Sequence, residues 1–283
     1  MNLDHTVFLA TDYDHVWRRY EQLGFTLSPH SRHLAASTSG GEPTLSCTAN
    51  RCAYFGDSFL EFIGIVDATA GDPWEVLPIV ARGDGLHGVS FGVPDTPAAE
   101  RRLVEAGLST TGALSLQRDV GTPDGPRTAR FRSVHLRRDR TPEGILHTAE
   151  HLTPEFVFQP RYLSHPNTAT GLDSVQLVVA DADLPAYTER YEQILDQTAT
   201  DNSFQLGIGR LDLVPVTRLD DVLPGEQAPR LPYFAAQTVA VENLATARKL
   251  VTEADLPTVD LPRQGFFVPA AHAGGAALGF VER

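Results

Sequence analysis

Lysine is all but missing from this sequence: Lys249 is the only one, so nearly every positive side chain is an arginine. Cations are also scarce as a class. There are 23 Lys and Arg against 36 Asp and Glu, a formal net charge of −13. Nucleic-acid backbones are held by clustered cations, so this balance argues against a nucleic-acid partner. Cysteine is limited to Cys47 and Cys52. With no secretory context around them, reduced thiols are the expectation. Cys-x-x-Cys pairs that would hold structural zinc are absent. No apolar run approaches the roughly 20 residues of a membrane span. The opening MNLDHTVFLA lacks the basic start and apolar centre of a signal peptide. A cytoplasmic protein with no membrane partner is expected. A P-loop is missing. Gly-x-Gly-x-x-Gly (83–88) and Gly-x-Ser-x-Gly (88–92) strings do occur, but they run into and along one β-like stretch instead of leading from a strand into a helix, as a dinucleotide-binding turn or a nucleophile elbow requires, which removes the common nucleotide-binding and serine-hydrolase readings.

What is present is globular. Hydrophobic residues make up 42% of 283, enough for one large domain or two medium ones with real cores. One pattern recurs four times. A β-like stretch ends in an acidic or turn residue, an amphipathic helix follows, and further β-like stretches close the copy. The first copy opens with LDHTVFLATD (3–12) and a helix over 13–25, with Val16, Tyr20 and Leu23 at helical spacing and Gly24 as its stop. The second opens with GLHGVSFGVPD (85–95) and a helix over 96–108, where Thr96 reads as N-cap and Pro97 as the first helical residue. Strands are expected near 112–120, 128–138 and 145–153. The third copy opens at 172 and the fourth at 232, with helices over 184–196 and 244–256. The Pro-rich stretch 154–171 reads as a tether. The chain therefore divides into 1–168, with modules 1–70 and 83–160, and 169–283, with modules 172–217 and 232–283.

Two stretches carry a family resemblance. TANRCAYFGDSFLEFIG is similar to the Ala-Asn-Arg … Gly-Asp … Leu-Glu signature of glyoxalase-like domains, and EHLTPEFVFQPRYLSHPN to the His-x-Thr-Pro-Glu … His-Pro-Asn joint found in several of them. The chain thus resembles the vicinal-oxygen-chelate superfamily. The resemblance implies an α+β fold of four tandem βαβββ modules, making two half-open β-barrel cups with helices outside. In such modules the first and last strands lie side by side, so ligands on them enter one hollow. His5 and His87 open the first strands of copies one and two. Glu61 and Glu150 lie on the corresponding last strands. His5, Glu61, His87 and Glu150 are therefore the expected ligands of a divalent metal, with Glu61 and Glu150 as catalytic carboxylates. Mixed N and O donors suit Fe, Mn, Zn, Co or Ni. The fourth ligand stays open among Glu150, His151 and His147, because His147 and His151 share one strand face and Glu150 falls on the other. Asn50, Arg51 and His33 are candidates for substrate contact, with Arg51 equally readable as a salt-bridge partner. Ser174 and Ala235 or Ala236 stand where copies three and four would need histidine, so the second half reads as a degenerate pair that packs on the first or covers its cup.

The activity this implies is that of a metal-dependent lyase, isomerase or dioxygenase that chelates two vicinal oxygens of a small organic substrate. The alternative is a metal-free small-molecule binding or resistance protein on the same fold, similar to bleomycin-resistance proteins. Four modules in one chain allow a monomer, and a homodimer through the second half is the other expectation.

Overall fold

The computed structural model describes residues 1–35, 41–262 and 264–283. The first copy supplies β1 (Asn2–Ala10), α1 (Tyr13–Gln22), β2 (Ser31–Ala35), β3 (Thr44–Tyr54) and β4 (Phe59–Ile65). After a short helix α2 (Leu77–Val80), the second supplies β5 (Gly85–Gly92), α3 (Thr96–Glu105), β6 (Thr110–Thr122), β7 (Gly125–Leu136) and β8 (Ile145–His151), and α4 (Pro154–Val157) opens the joint. The third gives β9 (Ala169–Val179), α5 (Leu184–Leu195), β10 (Ser203–Gln205) and β11 (Arg210–Pro215), followed by α6 (Leu219–Val222). The fourth gives β12 (Tyr233–Val241), α7 (Leu244–Glu253), β13 (Val259–Asp260), β14 (Phe266–Val268) and β15 (Ala277–Glu282).

These strands make an α+β fold with one closed barrel, in the order β1-β4-β3-β2-β6-β7-β8-β5, and one open sheet, β10-β11-β9-β12-β15-β14-β13. The first cup is therefore a closed wall of strands rather than half-open. Leu34 of β2 pairs with Gln117 of β6 and completes it. The open sheet has no such closure, because its edge strands β10 and β13 span three and two residues. Copy three also has two strands after its helix where copies one and two have three.

Local chemistry places the helices. Asp12 caps α1 by accepting from the backbone N–H of His15. Val16, Trp17 and Tyr20 form its buried stripe, and Trp17 Nε1 donates to the Phe62 carbonyl. At α3 the cap is Asp95, not Thr96: its carboxylate accepts from Ala98 N, and Thr96 is already helical. The aspartate has the β-region backbone that a cap requires, and its charge suits a helix start.

β1 is buried along nearly its whole length. One face looks into the barrel, and the other packs on the second sheet. The largest core cluster joins Phe8, Phe62, Leu86 and Phe91 of the barrel to Val175, Leu177, Phe234 and Phe280 of the open sheet. A buried polar rivet crosses the same face: Thr6 Oγ1 donates to Gln237 Oε1 at 2.6 Å, and Gln237 Nε2 donates to Tyr20 Oη at 2.9 Å. The backbones touch at Gly275, where an added Cβ would lie 2.2 Å from the Asp84 carbonyl and the φ of +111° already disfavours a side chain. The second half thus packs on the barrel's outer wall, not over its mouth.

The joint is fastened from both ends. His165 Nδ1 accepts from Thr26 N and its Nε2 donates to the Tyr54 carbonyl, while Asn167 donates to Leu23 O. His165 is structural, as its sequence context suggests. Cys47 and Cys52 are free, buried and in separate core clusters.

Candidate functional site

The barrel interior is a cavity of about 90 Å³. Val7, Ile63, Leu116, Phe59, Phe131 and Ile145 provide apolar walls, and His5, His33, Glu61, His135, His147 and His151 enter between them. Alternation along strands explains who enters. His5 and Val7 share a face of β1, and His147, Ala149 and His151 share a face of β8.

At the centre is the Glu61 carboxylate. His5 Nε2 stands 3.6 Å from Oε2 and His33 Nε2 stands 3.6 Å from Oε1, while Asn50 Nδ2 donates to Oε1 at 2.6 Å. Burial alone would raise this carboxyl, but the facing imidazoles of His33 and His5, with Asn50, outweigh it and hold it at about 2. Glu61 is therefore ionised. Three of the surrounding imidazoles are fastened through Nδ1. His5 Nδ1 meets Asp4 Oδ1 at 2.6 Å, His33 Nδ1 meets Thr48 Oγ1 at 2.8 Å, and His147 Nδ1 meets Ser133 Oγ at 3.1 Å. His147 Nε2 is buried with no hydrogen-bond partner among the described residues. The His147 ring lies 5.1 Å from that of His5, edge-on. Burial pushes His147 well below the usual histidine value, with His135 and His5 adding repulsion, so it is neutral and carries a lone pair. Asp4 also accepts from His151 Nε2 at 3.1 Å. Burial opposes its charge, but His151 and His5 together keep it well below the usual carboxylate range.

This donor set fits a borderline divalent cation. Two neutral-capable Nε2 atoms and one ionised carboxylate are the right chemistry. An outer carboxylate on His5 Nδ1 is the usual device for fixing a ligating tautomer. The orphaned His147 nitrogen is a buried lone pair in want of a partner. Among the described residues no three such side chains already stand at ligating spacing. The 3.6 Å separations slightly exceed the roughly 3.0–3.5 Å between donors that share an ion at ~2.1 Å.

Two of the four expected ligands are not brought here. His87 turns out of the barrel. It is the extra residue of a bulge in β5 opposite β1, between Gly88, which pairs with Val7, and Leu86, which pairs with Phe8. Its Nε2 donates to Gly83 O at 2.7 Å and its Nδ1 accepts from Arg230 at 3.2 Å. The residue that matches His5 is Gly88: His5 pairs with Phe59 on β4 as Gly88 pairs with Ile145 on β8. A Cβ at 88 would stand 2.4 Å from the Ile145 carbonyl, so no ligand fits there. The sequence held this signal. His5 lies seven residues before its helix cap Asp12, and Gly88, not His87, lies seven before Asp95. Glu150 also faces outward. Its Oε2 accepts from Thr96 N at the start of α3, and Arg132 approaches its Oε1. The position matching Glu61 is His147, since Val7 pairs with Glu61 as Ser90 pairs with His147.

Of the substrate candidates, His33 and Asn50 line the cavity and Arg51 does not. Arg51 is on the outer face, where it donates to Ser28 O, pairs with Glu21 and lies over Trp17. Sequence reasoning missed His135, Trp74 and Arg118, all of which line the cavity. Only the alternation Leu116-x-Arg118 in a predicted strand pointed to the last.

Closed strands around a histidine-lined hollow, built from paired βαβββ copies, define a vicinal-oxygen-chelate fold. The model of the glyoxalase-like domain matches residues 3–195, and the chain belongs to that family. Among solved structures it is similar to a hypothetical protein from Staphylococcus aureus, at 9% identity and TM-score 0.65, with 99% of this chain and 98% of that one covered. It is also similar to a mutant of 4-hydroxymandelate synthase from Streptomyces coelicolor, at 13% identity and TM-score 0.60, with 100% and 92% covered. A xylose isomerase-like TIM barrel/4-hydroxyphenylpyruvate dioxygenase fusion protein matches over 49% of its length, with 100% of this chain covered, at 11% identity and TM-score 0.60. These likenesses concern fold. The curated proteins contain no match. Among the described residues no helix is long and apolar enough to cross a membrane.

Proposed function

We propose that this chain is a metal-dependent enzyme of the vicinal-oxygen-chelate type, acting on a small organic substrate through two neighbouring oxygens. The observation that carries the reading is a largely enclosed, ionised Glu61 faced by imidazoles whose Nδ1 atoms are already tied. His5, Glu61 and His147 would hold the ion, and His33 stands beside them as a further donor or as a base. A divalent metal in that place supplies Lewis acidity toward two adjacent oxygens of a bound substrate.

The chain's own residues do the rest. Asp4 orients His5, and Asn50 fixes one Glu61 oxygen. His33 carries Nε2 toward Glu61 while Thr48 holds its far side, so it can accept or return a proton at Nε2. The apolar walls exclude water and strengthen each electrostatic contact. With Gly88 in place of a fourth ligand, the site leaves coordination positions for substrate, as sites with two histidines and one carboxylate do.

The test is metal content by mass spectrometry after purification without chelator. Stoichiometric metal is expected in the native chain and in His87→Ala, and its loss is expected in Glu61→Gln and His147→Ala. A native chain that neither carries nor takes up metal would leave the binding-protein reading in its place. Oxygen uptake with substrate then separates a dioxygenase from a lyase or isomerase.

A further inference from the structure

Arg118 lies midway along β6, opposite Ala129 of β7, and its side chain enters the barrel cavity. The residue is only 5% exposed. Arginine keeps its charge at any working pH, so burial requires strong acceptors. Both of its polar contacts are neutral: Nη1 donates to Asn50 Oδ1 at 2.9 Å, and Nη2 donates to Tyr54 Oη at 2.5 Å. The Phe131 ring centroid is 5.6 Å away.

The other arginines make the anomaly plain. Arg51, Arg190 and Arg210 each have 21% of the side chain exposed, and each has a carboxylate partner. Arg118 is the one buried arginine among the described residues, and no Asp or Glu there forms an ion pair with it. Its route to negative charge runs through Asn50, which accepts from Arg118 and donates to Glu61. Glu61 is itself faced by His5 and His33. Two of five guanidinium N–H groups are used, and the planar fork matches a carboxylate.

We infer that Arg118 anchors an anionic substituent, a carboxylate, on a substrate whose remaining body is apolar. Asn50 then sets the spacing between that anchor and Glu61. The apolar body would lie against Leu34, Leu116 and Phe131. The inference rests on the cavity being the substrate site proposed above, and it does not require the metal.

The experiment is a ligand-observed NMR titration of the purified full chain with isobutyrate and with its neutral isostere isobutyramide, before and after EDTA treatment. Charge-assisted hydrogen bonds contribute about 1.5–3 kcal/mol, so isobutyrate should bind roughly 10-fold tighter or more. Arg118→Gln should abolish that preference. Arg118→Lys, which keeps the charge without the fork, should retain part of it and covers the case in which the glutamine variant does not fold. EDTA should leave the preference intact. Equal binding of the two probes, no binding of either, or a preference that survives in Arg118→Gln overturns the inference. A preference lost only with EDTA assigns the anion to the metal, which overturns the role of Arg118 while leaving the metal reading standing.

Discussion

The barrel and the open sheet are built by the same strand pairings, yet only one of them concentrates chemistry. In the barrel, the positions matched by register are His5, Glu61, Gly88 and His147. The same register in the open sheet selects Ser174, Asp212, Ala236 and Gly279. Asp212 is the single carboxylate of that set, and Arg210 and Ser203 already occupy its oxygens. At Gly279 an added Cβ would lie 2.6 Å from Thr238 Oγ1. A fold repeated twice therefore keeps its architecture without its site, because strand pairing asks only for β-compatible residues, whereas a ligand set asks for particular atoms at particular registers. Closure adds to the contrast. Strands on all sides shield the barrel's Glu61, while the other sheet leaves its concave face, with Asp173, Ser174 and Asp212, along a wide cleft of about 710 Å³.

The comparison can be broken first at the shared wall. Phe8 is fully buried between the two regions, against Tyr20 and Phe62. Phe8→Ala should cost about 3–5 kcal/mol. If the regions depend on each other, a calorimetric scan will show one transition moved as a whole. Two transitions, with one unmoved, would mean that the barrel and sheet fold separately.

The next largest effect is a pH dependence at the seam. Burial, together with the nearby Arg230 and Arg82, lowers His87 to about 4 despite the Gly83 carbonyl. The neutral ring donates to Gly83 and accepts from Arg230, and protonation would destroy the second bond. Below the ordinary value near 6.5 the unfolded chain takes up a proton that the folded chain refuses. Stability contributed by the neutral ring is thus complete above about pH 6.5 and is lost as pH falls toward 4, by about 3 kcal/mol. Denaturant midpoints between pH 4 and 7 should show this slope, and His87→Gln should remove the share due to His87, leaving that of other buried histidines such as His135, which burial also lowers to about 4.

A smaller effect sharpens the account of the barrel's site. Asp4→Asn removes the charge behind His5 and should weaken metal binding roughly 10–100-fold, the usual scale for an outer partner. Titration of chelator-treated protein with zinc or cobalt measures it, and an unchanged affinity would remove Asp4 from the site. The smallest effect belongs to the open sheet. Asp212→Asn should leave metal content and affinity unaltered, and a loss of metal there would place an ion in the wrong half.

Much of the fold was legible in the sequence. Four helices and the strands around them follow from helical spacing and from turn glycines such as Gly24 and Gly107, whose positive φ values end α1 and α3. The site was half legible. His5 and Glu61 could be placed because the alternations His5-x-Val7 and Glu61-x-Ile63 carry each into the cavity. His87 could not, because it is itself the bulged residue, and a histidine beside the right position looks identical to one in it. Arg118 was invisible as a functional residue, since a lone arginine in a long hairpin strand is ordinarily solvated.

The sequence by itself determined the repeat, the helices, the family and the lack of histidine on the first strands of copies three and four, for these depend on periodicity and on residue types near in the chain. Tertiary structure alone decided that His147 meets His5 across the barrel, that His87 and Glu150 serve the outer wall, and that Arg118 is buried with no ion-pair partner among the described residues. Those facts are set by register between strands distant in sequence, where a shift of one residue moves a side chain from the cavity to the opposite face.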